Sequence, residues 1–254
     1  MISKLSEYTF HADGLTDIGL KRSSNQDEVI LVPDYGFFAV SDGMGGLPEG
    51  GEASQLLAYN LPAIMKDCAA ALGRSRSPKQ AAKLLNREIQ SISDYIYRMK
   101  NTDKYKVAGA TLSGVWLIGK HAVFVNLGDS RGYLLPRYKK SILQITTDHN
   151  LAARLIAQGK LTPRQAQNHH SSSMLLRFAG MDSPATPETF ICEIKPGDRI
   201  LLCSDGLHGM VDENFYPQIL RTSSAPLRIC KNLTNQANAA GGRDNIAVVC
   251  ILIS

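Results

Sequence analysis

The sequence predicts an α+β fold of antiparallel sheets covered by helices. Short apolar runs of strand length recur along the chain, long segments of 3.6-residue periodicity interrupt them in blocks, and regular strand–helix–strand alternation is absent. With 254 residues, 44% hydrophobic and 20% charged, the chain can bury a sizeable core and has an ordinary globular composition. Collagen-like, coiled-coil and disordered readings are thereby excluded. No repeat, low-complexity tract or long polar linker divides it, so residues 1–254 read as one domain.

Taken in order, residues 29–32 and 37–41 read as strands of a hairpin turned by Pro33-Asp34-Tyr35-Gly36. A helical region follows from about Gly51, with Pro62 as a break point. Ser77 then suits an N-cap, Pro78 the first helical position, and Gln80 completes a capping-box pattern. Ala81, Leu85, Ile89, Ile92, Ile96 and Met99 continue as one apolar face. Strands at 111–118, 122–127, 132–135 and 142–145 follow at hairpin spacing, the pattern of an antiparallel meander. Residues 150–158 read as a short helix closed by Gly159, and Thr162-Pro163-Arg164-Gln165 opens another. Residues 168–187 are polar and irregular, a loop or flap. Strands at 189–194 and 199–203, a helix around 226–237 and a strand at 246–253 complete the reading.

Several function classes drop out. The longest apolar run, 246–253, is strand-sized and far short of the ~20 residues of a membrane helix. Residues 1–14 mix Lys4, Glu7, His11 and Asp13 with apolar residues and lack the apolar core of a signal peptide. Five cysteines without a CxxC pair argue against a disulfide scaffold and for a reducing, cytoplasmic setting. The net charge of +5 is scattered; even Arg137-Tyr138-Lys139-Lys140 is too short to track a phosphate backbone, so nucleic acid is not expected.

The chemistry concentrates in acidic residues at strand ends. Asp42 follows an apolar run and precedes Gly43-Met44-Gly45-Gly46; Asp205 follows another and precedes Gly206. Asp129 follows Gly128, and Asp244 sits between Gly241-Gly242-Arg243 and an apolar strand. Any one of these is an ordinary turn. Their recurrence points instead to a shared oxygen-ligand site for a hard cation, Mg²⁺ or Mn²⁺. The six histidines show no HxxxH or HExxH spacing, which disfavours zinc. Arg22, five residues before Asp27, is a planar, bidentate binder suited to a phosphate beside such ions.

Seven segments in one order now stand together: residues 22–27, Val40 through Gly46, Gly109-Ala110-Thr111, Gly128-Asp129-Ser130-Arg131, Thr147-Asp148-His149, Cys203 through Leu207, and Gly242-Arg243-Asp244-Asn245. This series resembles the metal-dependent protein phosphatases of type 2C, over nearly the whole chain and in the form of the bacterial branch. The resemblance implies a β-sandwich of two antiparallel sheets flanked by helices, a four-layer αββα arrangement with a two-metal centre at one edge. It implies that Asp42 bridges both ions, that the Gly43 carbonyl binds one, and that Asp205 and Asp244 hold the other. Asp129 matches the ligand of a third, weaker ion, Asp27 a group ordering metal-bound waters, and Arg22 the phosphate clamp. A metal-bridging hydroxide would attack phosphoserine or phosphothreonine directly. Two departures from the eukaryotic pattern bear on proton transfer. Met44 replaces a His proposed there as general acid, so a metal-bound water would protonate the leaving serine; Gln26 replaces a Glu. Residues 160–187 fall where bacterial members carry a variable flap, and His169 and His170 within it read as surface loop residues.

The function implied is a Mn²⁺- or Mg²⁺-dependent protein serine/threonine phosphatase, monomeric and acting on phosphorylated proteins. Those would include a cognate kinase and its substrates, and some relatives act in secretion-system control. Two other readings stay open at this point. A phospho-protein-binding regulatory module on the same fold has no need to keep every one of Asp42, Asp129, Asp205 and Asp244. A phosphatase of small phosphate esters would share the same centre.

Overall fold

In the computed structural model, residues 5–44, 49–100, 108–166, 169–182 and 184–254 are described. Gly45 and Gly46 of the glycine-rich motif, Asn168 at the start of the flap segment, and Lys4 lie outside the described residues.

Among the described residues the strands form two sheets. The first runs β1 (Phe10–Asp17), β11 (Ile246–Ile253), β10 (Arg199–Cys203), β7 (Arg131–Leu135), β8 (Leu143–Gln144). The second runs β2 (Asp27–Val32), β3 (Phe37–Met44), β5 (Leu112–Ile118), β6 (His121–Leu127), β9 (Glu188–Glu193), with the short β4 (Gly109–Ala110) beside the end of β3. All pairings within these sheets are antiparallel. Helices α1 (Glu49–Leu72) and α2 (Pro78–Lys100) cover the second sheet; α6 (Tyr216–Leu220) and α7 (Pro226–Ala239) cover the first. The layers are thus helix, sheet, sheet, helix, as expected.

The period-two geometry of strands explains the uninterrupted apolar runs. In β11, Ala247, Val249, Ile251 and Ile253 face the opposite sheet, while Ile246, Val248 and Cys250 face the helices. In β3, Phe38 and Val40 face the opposite sheet, while Phe37 and Ala39 lie under α1 and α2. Phe10 and Phe38 meet edge to face across the sandwich at 5.5 Å between ring centroids. No helix among the described residues is long and apolar enough to cross a membrane.

Several sequence expectations change here. Residues 111–145 do not form a meander: β6 pairs with β9, and β7 pairs with β10 in the other sheet. The chain changes sheets through Gly128, whose φ of +107° turns it away from β6. Pro62 does not break α1. The missing hydrogen bond costs about 3 kcal/mol, but Pro62 faces solvent and the turns on both sides bury Leu57, Leu61, Met65, Cys68 and Leu72. Each such side chain is worth about 1.5–3 kcal/mol, so burial wins.

At the start of α2, Ser77 Oγ accepts from the Gln80 N–H at 3.4 Å, yet the Gln80 side chain accepts from Ser75 Oγ at 2.6 Å, leaving the capping box half-made. The apolar face of α2 ends at Ile96, since Met99 is 54% exposed. The described residues from His169 to Pro187 are largely irregular but anchored: Ala179 bridges Ala110, and Ala179 and Ala185 are buried. Strand β1 has no counterpart in the sequence reading, nor do α6 and the four-residue α5 (Asp205–His208).

Candidate metal centre

One end of the sandwich collects the starts of β2, β7 and β11 and the ends of β3, β6 and β10, and with them the acidic residues. Asp27 opens β2 and is the direct cross-strand partner of Asp42 on β3. Asp205 is the first residue of α5, directly after β10 and Ser204. Asp244 lies two residues ahead of β11, and Asp129 stands in the crossing from β6 to β7. Two of these side chains come from the second sheet and the others from the first or from its connection.

Asp42 is the common neighbour: it pairs across the strands with Asp27, and the charges of Asp27, Asp205, Asp129 and Asp244 all act on it. Burial foremost, and then the charges of Asp27, Asp205, Asp129 and Asp244, hold Asp42 well above the ordinary carboxylate range. Burial pushes Asp27 up to about 7, against a bond from Ser204 that favours its ionised form. Asp129 is pushed up to about 8 by burial and the charges of Asp205 and Asp148. Asp205 is raised by burial and by Asp244. Like charges this close in a desolvated site oppose one another's ionisation.

The positions of these groups are fixed by neighbours. Ser204 Oγ donates to Asp27 Oδ2 at 2.6 Å and tethers the two sheets. Asn245 uses its whole amide: Oδ1 accepts from the Gln26 N–H at 2.9 Å, and Nδ2 donates to the Ser24 and Ile18 carbonyls at 2.9 and 3.0 Å. That staples the loop carrying Arg22 to the residue after Asp244. Gly206 lets α5 lie against the same strand, because a Cβ there would stand 1.8 Å from the Asn245 carbonyl oxygen. His208, half-buried and pushed down by desolvation to about 4, is neutral and donates from Nε2 to the Asp129 carbonyl at 3.0 Å. Arg131 grips Asp148 through Nε and a terminal nitrogen, and the Gly128 N–H donates to His149 Nδ1 at 3.3 Å, fixing the turn that holds Asp129. Sequence reasoning assigned no role to Ser204, Asn245 or His208. For Ser204 and Asn245 the available signal was a polar residue directly flanking a strand-end Asp, whereas His208, three residues beyond Asp205, offered none.

Arg22 reaches the cluster from its rim, where its guanidinium bonds Asp244 at 2.7 Å with 54% of the side chain exposed. Asp205 and Asp42 lie near enough to act on it electrostatically. The Gly43 N–H donates to the Gln26 carbonyl at 3.1 Å, and Met44 is the last residue of β3. His169 is not drawn into the cluster; its Nδ1 pairs with Ser171 Oγ at 2.7 Å.

The residues fit a hard divalent cation. The donor set is all oxygen, and Asp27 Oδ1 and Asp205 Oδ1 are buried without a hydrogen-bond partner. Among the described residues no three His, Cys, Asp or Glu side chains stand grouped closely enough to hold a metal ion between them.

The chain is similar to known proteins over most of its length. The family model described as protein phosphatase 2C matches residues 21–239. The serine/threonine phosphatase stp of Listeria welshimeri is 31% identical over 245 residues, covering 95% of each chain. The crystal structure of the serine/threonine phosphatase Stp1 from Staphylococcus aureus superposes with a TM-score of 0.86 at 26% identity, over 100% of this chain and 98% of that one. The catalytic domain of the phosphatase PstP, in complex with 2 manganese ions, gives a TM-score of 0.79 at 27% identity, over 96% of this chain and 98% of that one. This chain belongs to the protein phosphatase 2C family.

Proposed function

We propose that the chain is a metal-dependent protein serine/threonine phosphatase that hydrolyses phosphoserine and phosphothreonine directly, without a phosphoenzyme. The observation that carries this is the cross-strand pairing of Asp42 with Asp27, with the charge of Asp205 acting on both and unpartnered buried oxygens on Asp27 and Asp205. When bound, paired divalent cations supply a nucleophilic water at neutral pH and stabilise charge on the attacking and leaving oxygens. In this reading Asp42, Asp205, Asp244 and the Gly43 carbonyl hold the pair, and Asp129 holds a third, weaker ion.

The chain's own groups do the rest. Asp27, with Oδ2 engaged by Ser204, presents Oδ1 to orient a water. Arg22 receives the phosphate at the rim, where a planar fork of donors matches phosphoryl oxygens. Manganese is the ion to try first, because PstP holds it. Phosphorylated proteins are the substrate class, as the names of the relatives imply for those proteins. A reducing, cytoplasmic setting belongs to the proposal, supported by free cysteines of which Cys68, Cys203, Cys230 and Cys250 are buried.

The test is hydrolysis of a phosphopeptide panel and of p-nitrophenyl phosphate after chelation and after adding Mn²⁺. Activity should vanish with EDTA and return with Mn²⁺, with phosphopeptides preferred over the small ester. Activity surviving exhaustive chelation would refute the proposal.

A further inference from the structure

Thr111, the single residue between β4 and β5, is 2% exposed and commits every polar atom to the frame of the acidic cluster. Its N–H donates to the Asp42 carbonyl at 2.8 Å, and its own carbonyl accepts from the Ser41 hydroxyl at 2.7 Å. Its Oγ1 accepts from the Asp42 N–H at 3.0 Å and is bonded to the Ser130 hydroxyl at 2.6 Å. Asp42 belongs to the second sheet, whereas Ser130 follows Asp129 and leads into β7 of the first. The hydroxyl–hydroxyl bond therefore connects the backbone at Asp42 to the backbone beside Asp129.

The rest of the side chain works as a wedge. A Cβ on Gly128 would lie 2.6 Å from both Cβ and Cγ2 of Thr111, so the sheet-changing turn rests directly on the Thr111 methyl. Threonine's β-branch holds χ1 stiffly, which makes hydroxyl and methyl two fixed arms of one bracket. Ser130 is fully buried, so water has no access to exchange with the bond. Serine at 111 would keep the bond and lose the wedge; valine would keep the wedge and lose the bond.

We propose that Thr111 is a positioning residue that sets the spacing between Asp42 and Asp129 through Ser130, and thereby the affinity for the ion held at Asp129. The proposal rests on the reading of these aspartates as metal ligands. Residues that orient ligands without touching the ion typically change its affinity by about 10–100-fold when removed.

The experiment is calorimetric titration of Mn²⁺ into the chelator-stripped full chain, with thermal melts recorded alongside. The variants are Thr111→Val, Thr111→Ser, Ser130→Ala, the double Thr111→Val/Ser130→Ala, and Asp129→Ala to identify the weak step. Thr111→Val and Ser130→Ala should each weaken that step by at least about tenfold, the double should be no worse than either, and Thr111→Ser should retain most of the affinity. Should Thr111→Val fail to fold, Ser130→Ala removes the same bond from the other side and decides the question. A fall in melting temperature with all Mn²⁺ steps unchanged in Ser130→Ala would overturn the proposal. If wild type itself takes up no Mn²⁺, the metal-site reading falls and this proposal with it, an outcome distinct from normal uptake by every Thr111 and Ser130 variant.

Discussion

Arg22 and Asp244, 222 positions apart, are joined by a 2.7 Å ion pair at the rim of the acidic cluster. The side chains are 54% and 34% exposed. Pairs in such surroundings are worth about 0–1 kcal/mol, so this contact is readily exchanged for a stronger one. A guanidinium that can leave Asp244 for a phosphate, and a carboxylate that can leave Arg22 for a cation, are the properties the proposed reaction asks of these two residues.

Replacing Arg22 by Ala should raise KM and lower kcat, losing about 2–4 kcal/mol in kcat/KM. Lys should recover only part, being a point charge and not a fork. The melting temperature should hardly move, and Mn²⁺ affinity should rise slightly because Asp244 loses a competing cation. Steady-state kinetics on a phosphopeptide and a small ester decide this; near wild-type values for Arg22→Ala on both would return Arg22 to the solvated surface.

The aspartates should separate into two classes. Asp42→Ala or Asp205→Ala should remove activity on every substrate by orders of magnitude in kcat. Asp129→Ala should retain the tight Mn²⁺ steps and slow turnover. Loss of all Mn²⁺ binding in Asp129→Ala, read by calorimetry, would refute the split.

Asn245→Ala removes the bonds to Ile18, Ser24 and Gln26 that hold the Arg22 loop. A stability loss of about 2–3 kcal/mol is expected, since buried partners are left unpaired. KM should rise more than kcat falls, because the loop carries Arg22. Denaturant melts and phosphopeptide kinetics check the two effects separately.

Protonation gives a fourth prediction. Burial raises Asp27 to about 7 and Asp129 to about 8, from an ordinary value of 3.8. The folded chain then holds protons that the unfolded chain has released, so this contribution is present below about pH 4 and lost as pH rises through about 7–8. Metal-free protein should melt at progressively lower temperature over that window. Saturating Mn²⁺ should flatten the dependence, because a divalent charge replaces the protons. A flat melting profile in EDTA across that range would contradict the clustering of these carboxyls.

What could be read from the residues follows from what each element buries. Strands β3, β10 and β11 are covered on both faces and appear as continuous apolar runs; α2 and α7 are long enough to show a periodic face. Strand β1 is an edge strand with only Phe10 fully buried, and His11, Asp13 and Asp17 conceal it. Helices α5 and α6, of 4 and 5 residues, are too short for a period to emerge. The change of sheet at Gly128 depends on which strands lie nearby in space, which local spacing does not encode. The same holds for the centre. The aspartates announce themselves by repeated strand-end placement, whereas the duties of Ser204, Asn245, His208 and Thr111 arise only once distant strands meet.

The pairing of β1 with β11 has a mechanical consequence. Phe10 lies beside Ile253 and the Ser254 N–H donates to the Thr9 carbonyl at 2.9 Å, at the pole of the sandwich away from Asp244. A force applied between Thr9 and Ser254 loads the antiparallel ladder one rung at a time, as a zipper, and never shears its hydrogen bonds together. The rungs would part from Phe10↔Ile253 to Asp17↔Ile246, the last before the Asp244 turn. Because β11 lies between β1 and β10, its extraction divides the first sheet and strips Ala247, Val249 and Ile251 from the inter-sheet core.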